Sequence, residues 1–406
     1  MNRVGGIGHN FWTKLPKWPT RIFFVFLIIF IGADFIANDK PIYCKVKGKT
    51  YFPIFKSYSV ALGLAKWDPN FVNAEWHTME YQKVIFPLIP YSPQNLDLKN
   101  ANCVSPFGPQ TVSRGKFWHI LGTDNLGRDI ASGMIHGVRI AYLVGFGAMF
   151  IALFIGLFFG VLAGYFGDDS YIVSRGRFVI MSLFLFLGFI YLIVFPYYNG
   201  ISFTGLLFII LIFSLLFIGI KMFVNYLEAI KLFKKQMTIN WDLILMRLIE
   251  IFKSIPGIFF LLAFFAIIEK PKLIYLILIL GFLMWPQIAR FVRAELLKIR
   301  ETEYINMAKS LGLKDITIIW NHVLPNAISP VLVTLSFGFA SAVLLESTLS
   351  FLGIGLPEGT VSWGSILNAA RSNFSAWWLA IFPGLAIFIS VYIFNRFGDA
   401  LADNKA

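Results

Sequence analysis

Several apolar segments of this chain are long enough to form helices that cross a lipid bilayer. Such a helix needs roughly 20 predominantly apolar residues to span the hydrocarbon core. Only 14% of the 406 residues are charged, whereas a soluble protein carries roughly 25%. The sequence therefore predicts an all-α membrane protein with several transmembrane helices.

Hydropathy and charge together predict eight spans and their orientation. Lys and Arg residues concentrate in the loops of one side, which identifies the cytoplasmic side. This bias places residues 1–21 and the C-terminus in the cytoplasm and residues 38–118 outside, as a periplasmic loop region. It also accounts for the net charge of +13 without a nucleic-acid partner. The predicted spans are 22–37, 140–165, 178–197, 203–223, 254–268, 273–291, 327–345 and 377–395.

Two local patterns predict structure within these regions. Gly156, Gly160 and Gly164 are spaced four apart in the second span, which favours close packing against a neighbouring helix. Residues 43–55 alternate in polarity around Gly48-Lys49, which predicts a β-hairpin. The fifth span is predicted to begin at 254 or earlier, within an amphipathic section at 241–252.

The cysteines allow a disulfide but do not establish it. Cys44 and Cys103 are the two cysteines of the chain, and both fall in the predicted external region, where disulfides persist. Spacing alone cannot show whether their Cα atoms approach each other, so the sequence leaves both the bonded and the free state open.

No catalytic or metal-binding constellation is visible in the sequence. The five histidines lie far apart, at 9, 77, 119, 136 and 322. Gly48-Lys49-Thr50 resembles the end of a phosphate-binding loop, but Tyr43 occupies the position where that loop needs glycine. Any ATP used by this protein must therefore be bound by another chain. Asp34, Glu250 and Glu346 are predicted to lie near span ends, where a charge can reach the interface.

The segment 298–326 is polar but strongly patterned between two apolar spans. Its apolar residues recur at helical spacing in two sets, separated by a turn at Gly312 and closed by Pro325. Two short amphipathic helices are predicted, forming either a surface hairpin without a partner or a docking site for a soluble protein. The two sets are Tyr304, Ile305, Met307, Ala308 and Leu311, then Ile316, Ile319, Trp320, Val323 and Leu324.

This segment resembles the EAA loop of ABC-importer permeases. The family pattern is Glu-Ala-Ala, three residues, Gly, nine residues and Ile-x-Leu-Pro. Asn306, Met307 and Ala308 occupy the first three places, Gly312 matches, and residues 322–325 (His-Val-Leu-Pro) close the pattern. The Glu and first Ala are replaced and His322 stands at the Ile position. An ion pair there would therefore come from a neighbour such as Glu301 or Glu303, or be absent.

Two further motifs resemble the dipeptide and oligopeptide branch of these permeases. Residues 121–145 resemble the segment leading into its second helix, and residues 344–371 resemble its last external loop. Residues 37–55 resemble Yej-type peptide permeases more weakly. The motif residues are Gly122, Thr123, Asp124, Gly127, Arg128 and Asp129, then Ser350, Phe351, Leu352, Gly353, Trp363 and Gly364.

The resemblance implies a type I importer permease core of six transmembrane helices, to which this chain adds an inserted two-helix hairpin at 170–235. The core would comprise residues 22–37, 119–169 and 236–404. Implied partners are a second permease subunit forming a heterodimer, an external substrate-binding protein, and two cytoplasmic ATPases that hold ATP and Mg. The implied ATPase-coupling residues are Glu303, Asn306, Met307, Ala308, Leu311, Gly312, Asp315, His322, Leu324 and Pro325.

The resemblance implies import of peptides or similar small solutes by a subunit that is not itself an enzyme. Two alternatives were weighed. An ion-coupled secondary transporter would need central acidic ligands, and a membrane-embedded enzyme would need a nucleophile with a nearby base. The sequence shows neither pattern.

Overall fold

The computed structural model describes residues 15–72, 75–112, 117–167, 172–174, 236–238, 240–268, 270–357 and 359–403, with Ile180, Leu183, Phe184 and Gly188. It divides into two compact units, residues 1–160 with 251–406, and residues 161–250. Almost all of the predicted inserted hairpin at 170–235 lies outside the described residues.

The described helices are predominantly long and apolar. Five of them suffice in length and composition to cross a membrane, and a sixth span results if α4 and α5 form one broken span. The helices are α1 (Lys17–Ile36), α2 (Pro53–Ala61), α3 (Ile130–Val161), α4 (Trp241–Ser254), α5 (Gly257–Ile267), α6 (Leu273–Arg300), α7 (Glu303–Ser310), α8 (Asp315–Ile318), α9 (Leu324–Phe351), α10 (Trp363–Ala370) and α11 (Trp378–Asp403).

Helix α3 begins at Ile130, well before the predicted start of the second span at 140. Asp129 precedes it and accepts a hydrogen bond from the Ser132 amide at 2.6 Å, as a helix-capping carboxylate does. The polar residues of its first turns have partners outside the helix. His136 Nε2 lies 2.8 Å from the carbonyl oxygen of Ala37, which explains why a hydropathy argument misplaced the start.

Close packing of α3 against α6 confirms the prediction drawn from Gly156 and Gly160. A Cβ on Gly156 would lie 2.7 Å from Ile288 Cβ, and one on Gly160 would lie 2.6 Å from Val292 Cβ. Both distances are too short for a side chain, so the glycines set the separation of the two helices. One buried apolar cluster joins α3, α5, α6 and α9 in this unit.

Helix α9 is longer at both ends than the predicted span 327–345. Pro325 was expected to end the preceding helix, and this prediction is wrong. A π-helical turn (Ile319–Val323) joins α8 to α9 without a break, and Pro325 sits in the first turn of α9, where proline is tolerated. At its other end α9 continues to Phe351.

This extension changes the position of Glu346. The residue was predicted near a span end, in reach of the interface, but it lies inside α9 and is fully buried. Its carboxylate accepts hydrogen bonds from the hydroxyls of Ser350, at 2.8 Å, and Ser347, at 3.2 Å. Two hydroxyl donors therefore satisfy this buried carboxyl group, as a buried polar group requires.

The other two acidic residues have basic partners. Asp34, near the end of α1, forms an ion pair of 2.8 Å with Arg139 of α3 and accepts a hydrogen bond from the Tyr58 hydroxyl. Glu250 forms an exposed ion pair of 2.8 Å with Arg247, one helical turn earlier. Both are structural contacts within or between helices.

The connecting domain, residues 37–129, lies between α1 and α3 and contains a three-stranded sheet of order β2-β1-β3. Strands β1 (Tyr43–Val46) and β2 (Lys49–Tyr51) form the predicted hairpin. Its turn is Lys47-Gly48, both with positive φ, one residue before the predicted centre. Strand β3 (Lys83–Ile85) pairs antiparallel with β1 and was not predicted.

The second unit contains fewer described elements. A π-helical turn (Leu162–Phe166) follows α3. Strands β4 (Ile172–Ser174) and β5 (Gln236–Thr238) pair antiparallel, with Val173 opposite Met237. The last pair of this register brings Ser174 beside Gln236.

Candidate functional site

Helices α7 and α8, with the π-turn that follows, form a compact helical pair (residues 303–323). The chain reverses at Gly312, whose φ of 74° favours glycine. The Leu313 amide donates to the Ala308 carbonyl at 3.2 Å and the Gly312 amide to Lys309 at 2.9 Å. These bonds satisfy the end of α7 as a C-capping turn does, and the turn predicted at Gly312 is confirmed.

The two sides of the helical pair differ in exposure. The apolar residues expected on one face of α7 are in fact divided, because Ile305 and Ala308 are buried while Met307 and Leu311 are exposed. Position 304 is also exposed. In the second set Ile319 and Val323 are buried, as is the adjacent Ile318. The pair thus has a buried face against the rest of its unit and an exposed face that is also apolar.

The helical-pair surface consists of the large apolar side chains on that exposed face. Leu311 is 81% exposed and Trp320 is 64% exposed. Full burial of one such side chain contributes about 1.5–3 kcal/mol, so together they could bind a partner with substantial affinity. The five residues of this surface are Met307, Leu311, Leu313, Ile316 and Trp320.

The helical pair is connected tightly to two long helices. Only Glu301 and Thr302 separate α6 from α7, and the Thr302 hydroxyl donates to the Ile299 carbonyl at 2.5 Å. On the other side α8 runs through its π-turn into α9. Asn326 Nδ2 donates to the Tyr304 hydroxyl at 3.2 Å, which ties the start of α9 to α7. A force on the pair therefore acts on α6 and α9 together.

The polar and terminal residues predicted for this site take varied positions. Glu303 lies in the first turn of α7 and Asp315 in the first turn of α8. Asn306 is exposed, and its backbone carbonyl accepts a hydrogen bond from the Ser310 hydroxyl. His322 and Leu324 are half-buried and Pro325 is exposed. None of these side chains forms a nucleophile–base arrangement with another.

The motif at 122–129 forms a buried polar network rather than an open site. Asp124 accepts hydrogen bonds from the Leu126 and Arg128 amides and from Arg128 Nε at 2.6 Å. Thr123 donates to the Asn100 carbonyl at 2.6 Å. The Thr123 carbonyl in turn accepts from Trp378 of α11 at 3.0 Å. These contacts attach the connecting domain to the membrane helices.

His119 completes this network and was not selected from the sequence. It is fully buried, with Nδ1 at 2.8 Å from Asp129 and Nε2 at 3.4 Å from Asp97. Tyr91 stacks on its ring at 4.4 Å, and burial raises the pKa of Tyr91 to about 12. The partners lie far apart in loops without periodicity, so only the polar cluster 122–129 beside His119 could have indicated it.

Gly122 and Gly127 are required for this network. Both have φ near 80°. A Cβ at Gly122 would lie 2.6 Å from the Val104 carbonyl oxygen, and one at Gly127 would lie 2.2 Å from that of Asp97. The glycines of this motif therefore allow loop backbones to approach each other.

The second motif joins α9 and α10 to α3. Trp363 is fully buried, and its Nε1 donates to the Met134 carbonyl at 3.1 Å. Gly364 leaves room for α9, since a Cβ there would lie 2.3 Å from the Ser347 carbonyl oxygen. The remaining motif residues form the end of α9 and its turn, namely Ser350, Phe351, Leu352 and Gly353.

The two cysteines are not bonded to each other. Both are free and buried. Cys44 packs with Phe71 and Trp76, while Cys103 belongs to a separate cluster with Trp378. The disulfide that the sequence allowed is therefore not formed, because each sulfur is enclosed in a different apolar cluster.

Both thiols are expected to resist alkylation in the native protein. Burial raises the pKa of Cys44 and of Cys103, and the thiolate is the reactive form. Mass spectrometry after iodoacetamide treatment without reductant should show no addition to the native chain. It should show modification of both thiols after denaturation. Labelling of the denatured chain that requires a reductant would contradict the free state.

Among the residues that the structure describes, no group of three or more His, Cys, Asp or Glu side chains is placed to hold a metal ion. The helical-pair surface, in contrast, exposes apolar side chains that a partner could cover.

Comparison with known proteins gives a family match over part of the chain. Residues 240–404 match the family described as binding-protein-dependent transport system inner membrane component. A putative peptide transport system permease protein of Brucella suis is 44% identical over 165 residues, covering 40% of this chain and 55% of that protein. The chain thus aligns with about half the length of this relative.

Two relatives align over nearly the whole chain. The peptidoglycan transport system permease protein YejE of Agrobacterium fabrum is 27% identical, covering 95% of this chain and 88% of its own length. The inner membrane ABC transporter permease protein YejE of Escherichia coli is 26% identical over the full length of both chains. Residues 240–404 thus resemble a family of transport-system membrane components, and the chain as a whole is similar to two proteins named as permeases.

Proposed function

We infer that this chain is one permease subunit of an ABC importer for peptides, embedded in the cell inner membrane with both termini in the cytoplasm. It forms half of the translocation pathway and pairs with a second permease subunit. An external binding protein delivers the substrate, and two cytoplasmic ATPases bind ATP and Mg. The peptide assignment is supported by the name of the Brucella relative.

The helical-pair surface carries this proposal. To move membrane helices, a soluble ATPase must bind a surface that is rigidly connected to them. Met307, Leu311 and Trp320 provide exposed apolar anchors, and the short connections to α6 and α9 transmit displacement. Closure of the ATPases on ATP then moves α6 and α9 as rigid bodies.

Negative charge at this surface comes from glutamates near Asn306, which occupies the position of the Glu in the EAA pattern. Asn306 cannot form an ion pair, and Glu301 already pairs with Arg300 at 3.2 Å. Glu303 is exposed in the first turn of α7. We therefore assign to Glu303 the contact with a basic residue of the ATPase.

Purification from native membranes tests the proposal. A tagged chain is expected to retain an ATPase and a second permease, identified by mass spectrometry. Proteoliposomes of this complex should transport labelled peptide across the membrane only when ATP is supplied on the side where the ATPases lie. Transport that persists without any ATPase chain and depends on an ion gradient would contradict the importer proposal. It would instead favour a secondary transporter.

A further inference from the structure

Helix α2 of the connecting domain exposes an apolar face. Phe52, at its N-cap, is followed on one helical stripe by Phe55, Tyr58 and Leu62, which are all exposed, Leu62 to 74%. Pro53 and Ile54, in the first turn, are buried against the rest of the unit. A helix face that contacts water usually carries polar residues. The apolar and aromatic residues of this stripe therefore point to a less polar environment.

Contacts with α1 fix the level of α2 relative to the membrane. The Tyr58 hydroxyl donates to Asp34, which lies in the last turn of α1 and pairs with Arg139 of α3. The rings of Phe35 and Phe55 are 5.2 Å apart. Helix α2 is therefore held beside the end of a transmembrane helix, at the boundary between hydrocarbon and water.

The exposed stripe of α2 continues a stripe on α1. Ile28 and Ile31 are exposed on α1, and Phe35 follows at the same helical spacing. Only 11% of the apolar window of α1 is buried in the described residues, so its exposed side chains face lipid in a membrane. The contact between Phe35 and Phe55 extends this lipid-facing surface onto α2.

Lysines are frequent in and beside α2. Residues 43–67 contain five of them, of which Lys56 forms an ion pair of 2.9 Å with Asp68. Lys45 of β1 lies directly opposite Lys83 of β3, an arrangement of like charges that destabilises a sheet unless an anion lies nearby. The rings of Tyr43 and Phe52, 5.6 Å apart, connect this sheet face to the stripe of α2.

We propose that the α2 surface, formed by Phe52, Phe55, Tyr58 and Leu62 with Lys45 and Lys83, rests in the headgroup layer of the bilayer. The aromatic and leucine side chains enter the upper acyl region, while the lysines contact lipid phosphates. Amphipathic helices and aromatic belts bind membrane interfaces in this way. The same contacts with acyl chains and phosphates are available on either side of the membrane.

Site-directed spin labelling of the full-length chain in lipid nanodiscs tests this proposal. A nitroxide at Leu62→Cys is expected to collide more with oxygen than with a water-soluble nickel complex, as one at Ile31→Cys does. A nitroxide at Gln94→Cys, at an exposed position of the same domain, serves as the water-facing control. The oxygen-to-nickel accessibility ratio should be several-fold higher at position 62 than at position 94. The parent chain, with both native cysteines buried, measures background labelling.

Three results would overturn the proposal. An accessibility ratio at position 62 equal to that at 94 would show contact with water. Protection from both reagents would show that a protein partner covers the surface. The third concerns the lysines. The nitroxide at position 62 should lie deeper in the bilayer when anionic phosphatidylglycerol is added to phosphatidylcholine discs. In the K45Q/K83Q variant its depth should be the same in both lipid compositions. An unchanged depth in the two lipid compositions would contradict the phosphate contact.

Discussion

Aspartate at both Leu311 and Trp320 is expected to abolish ATP-driven transport while leaving the chain inserted in the membrane. Both side chains are largely exposed, so their replacement should change the stability of this subunit by less than about 0.5 kcal/mol. In a bound ATPase they would be desolvated anchors, each contributing about 2 kcal/mol or more. Loss of even one such contribution weakens binding roughly 30-fold.

The amount of ATPase retained on the purified double variant measures this effect, together with peptide uptake into proteoliposomes. Asn321→Asp is a control for charge at this surface, because it adds one of the two negative charges at an exposed position beside Trp320 without removing an apolar anchor. Normal transport by the correctly inserted double variant would refute docking at the helical-pair surface.

Gly127→Ala is expected to be the most destabilising small substitution in the connecting domain. Its φ of 80° costs a side chain about 1–2 kcal/mol. The added methyl group would also lie 2.2 Å from the Asp97 carbonyl oxygen, and forced backbone shifts cost about 1–3 kcal/mol. A combined loss of about 3 kcal/mol should lower the thermal unfolding midpoint by roughly 5 °C or more, as followed by tryptophan fluorescence in detergent.

Gly48→Ala separates the two causes of this loss. Gly48 has nearly the same φ, 79°, but a Cβ there would meet no atom within 4 Å. It should therefore show only the smaller conformational cost. Equal destabilisation by the two variants would mean that the close approach to Asp97 has no energetic consequence.

Hydropathy located the membrane helices because each must bury a long apolar segment in lipid, but it placed their ends poorly. The start of α3 contains His136 and Arg139, whose partners are the Ala37 carbonyl and Asp34. From the sequence alone, where their partners are unknown, such polar residues indicate a loop rather than the start of a helix. The same applies to Glu346, whose serine partners make burial inside α9 tolerable.

The helical pair shows a different limit of sequence reasoning. The spacing of apolar residues predicted both helices and the turn at Gly312. It could not decide which apolar residues are buried, since Ile305 and Met307 are chemically similar and both follow the helical period. The buried network around His119 was missed because it joins Asp97 and Asp129 across loops, where no period connects the residues.

The unbroken run from α8 through α9 has a mechanical consequence. At about 1.5 Å per residue it extends roughly 50 Å, from the exposed Trp320 at one end to Glu346 and its serines near the other. π-helical turns of this kind are frequent at functional sites. If an ATPase binds the helical-pair surface as proposed, a displacement of Trp320 would be carried along α9 to the residues that pack against α10.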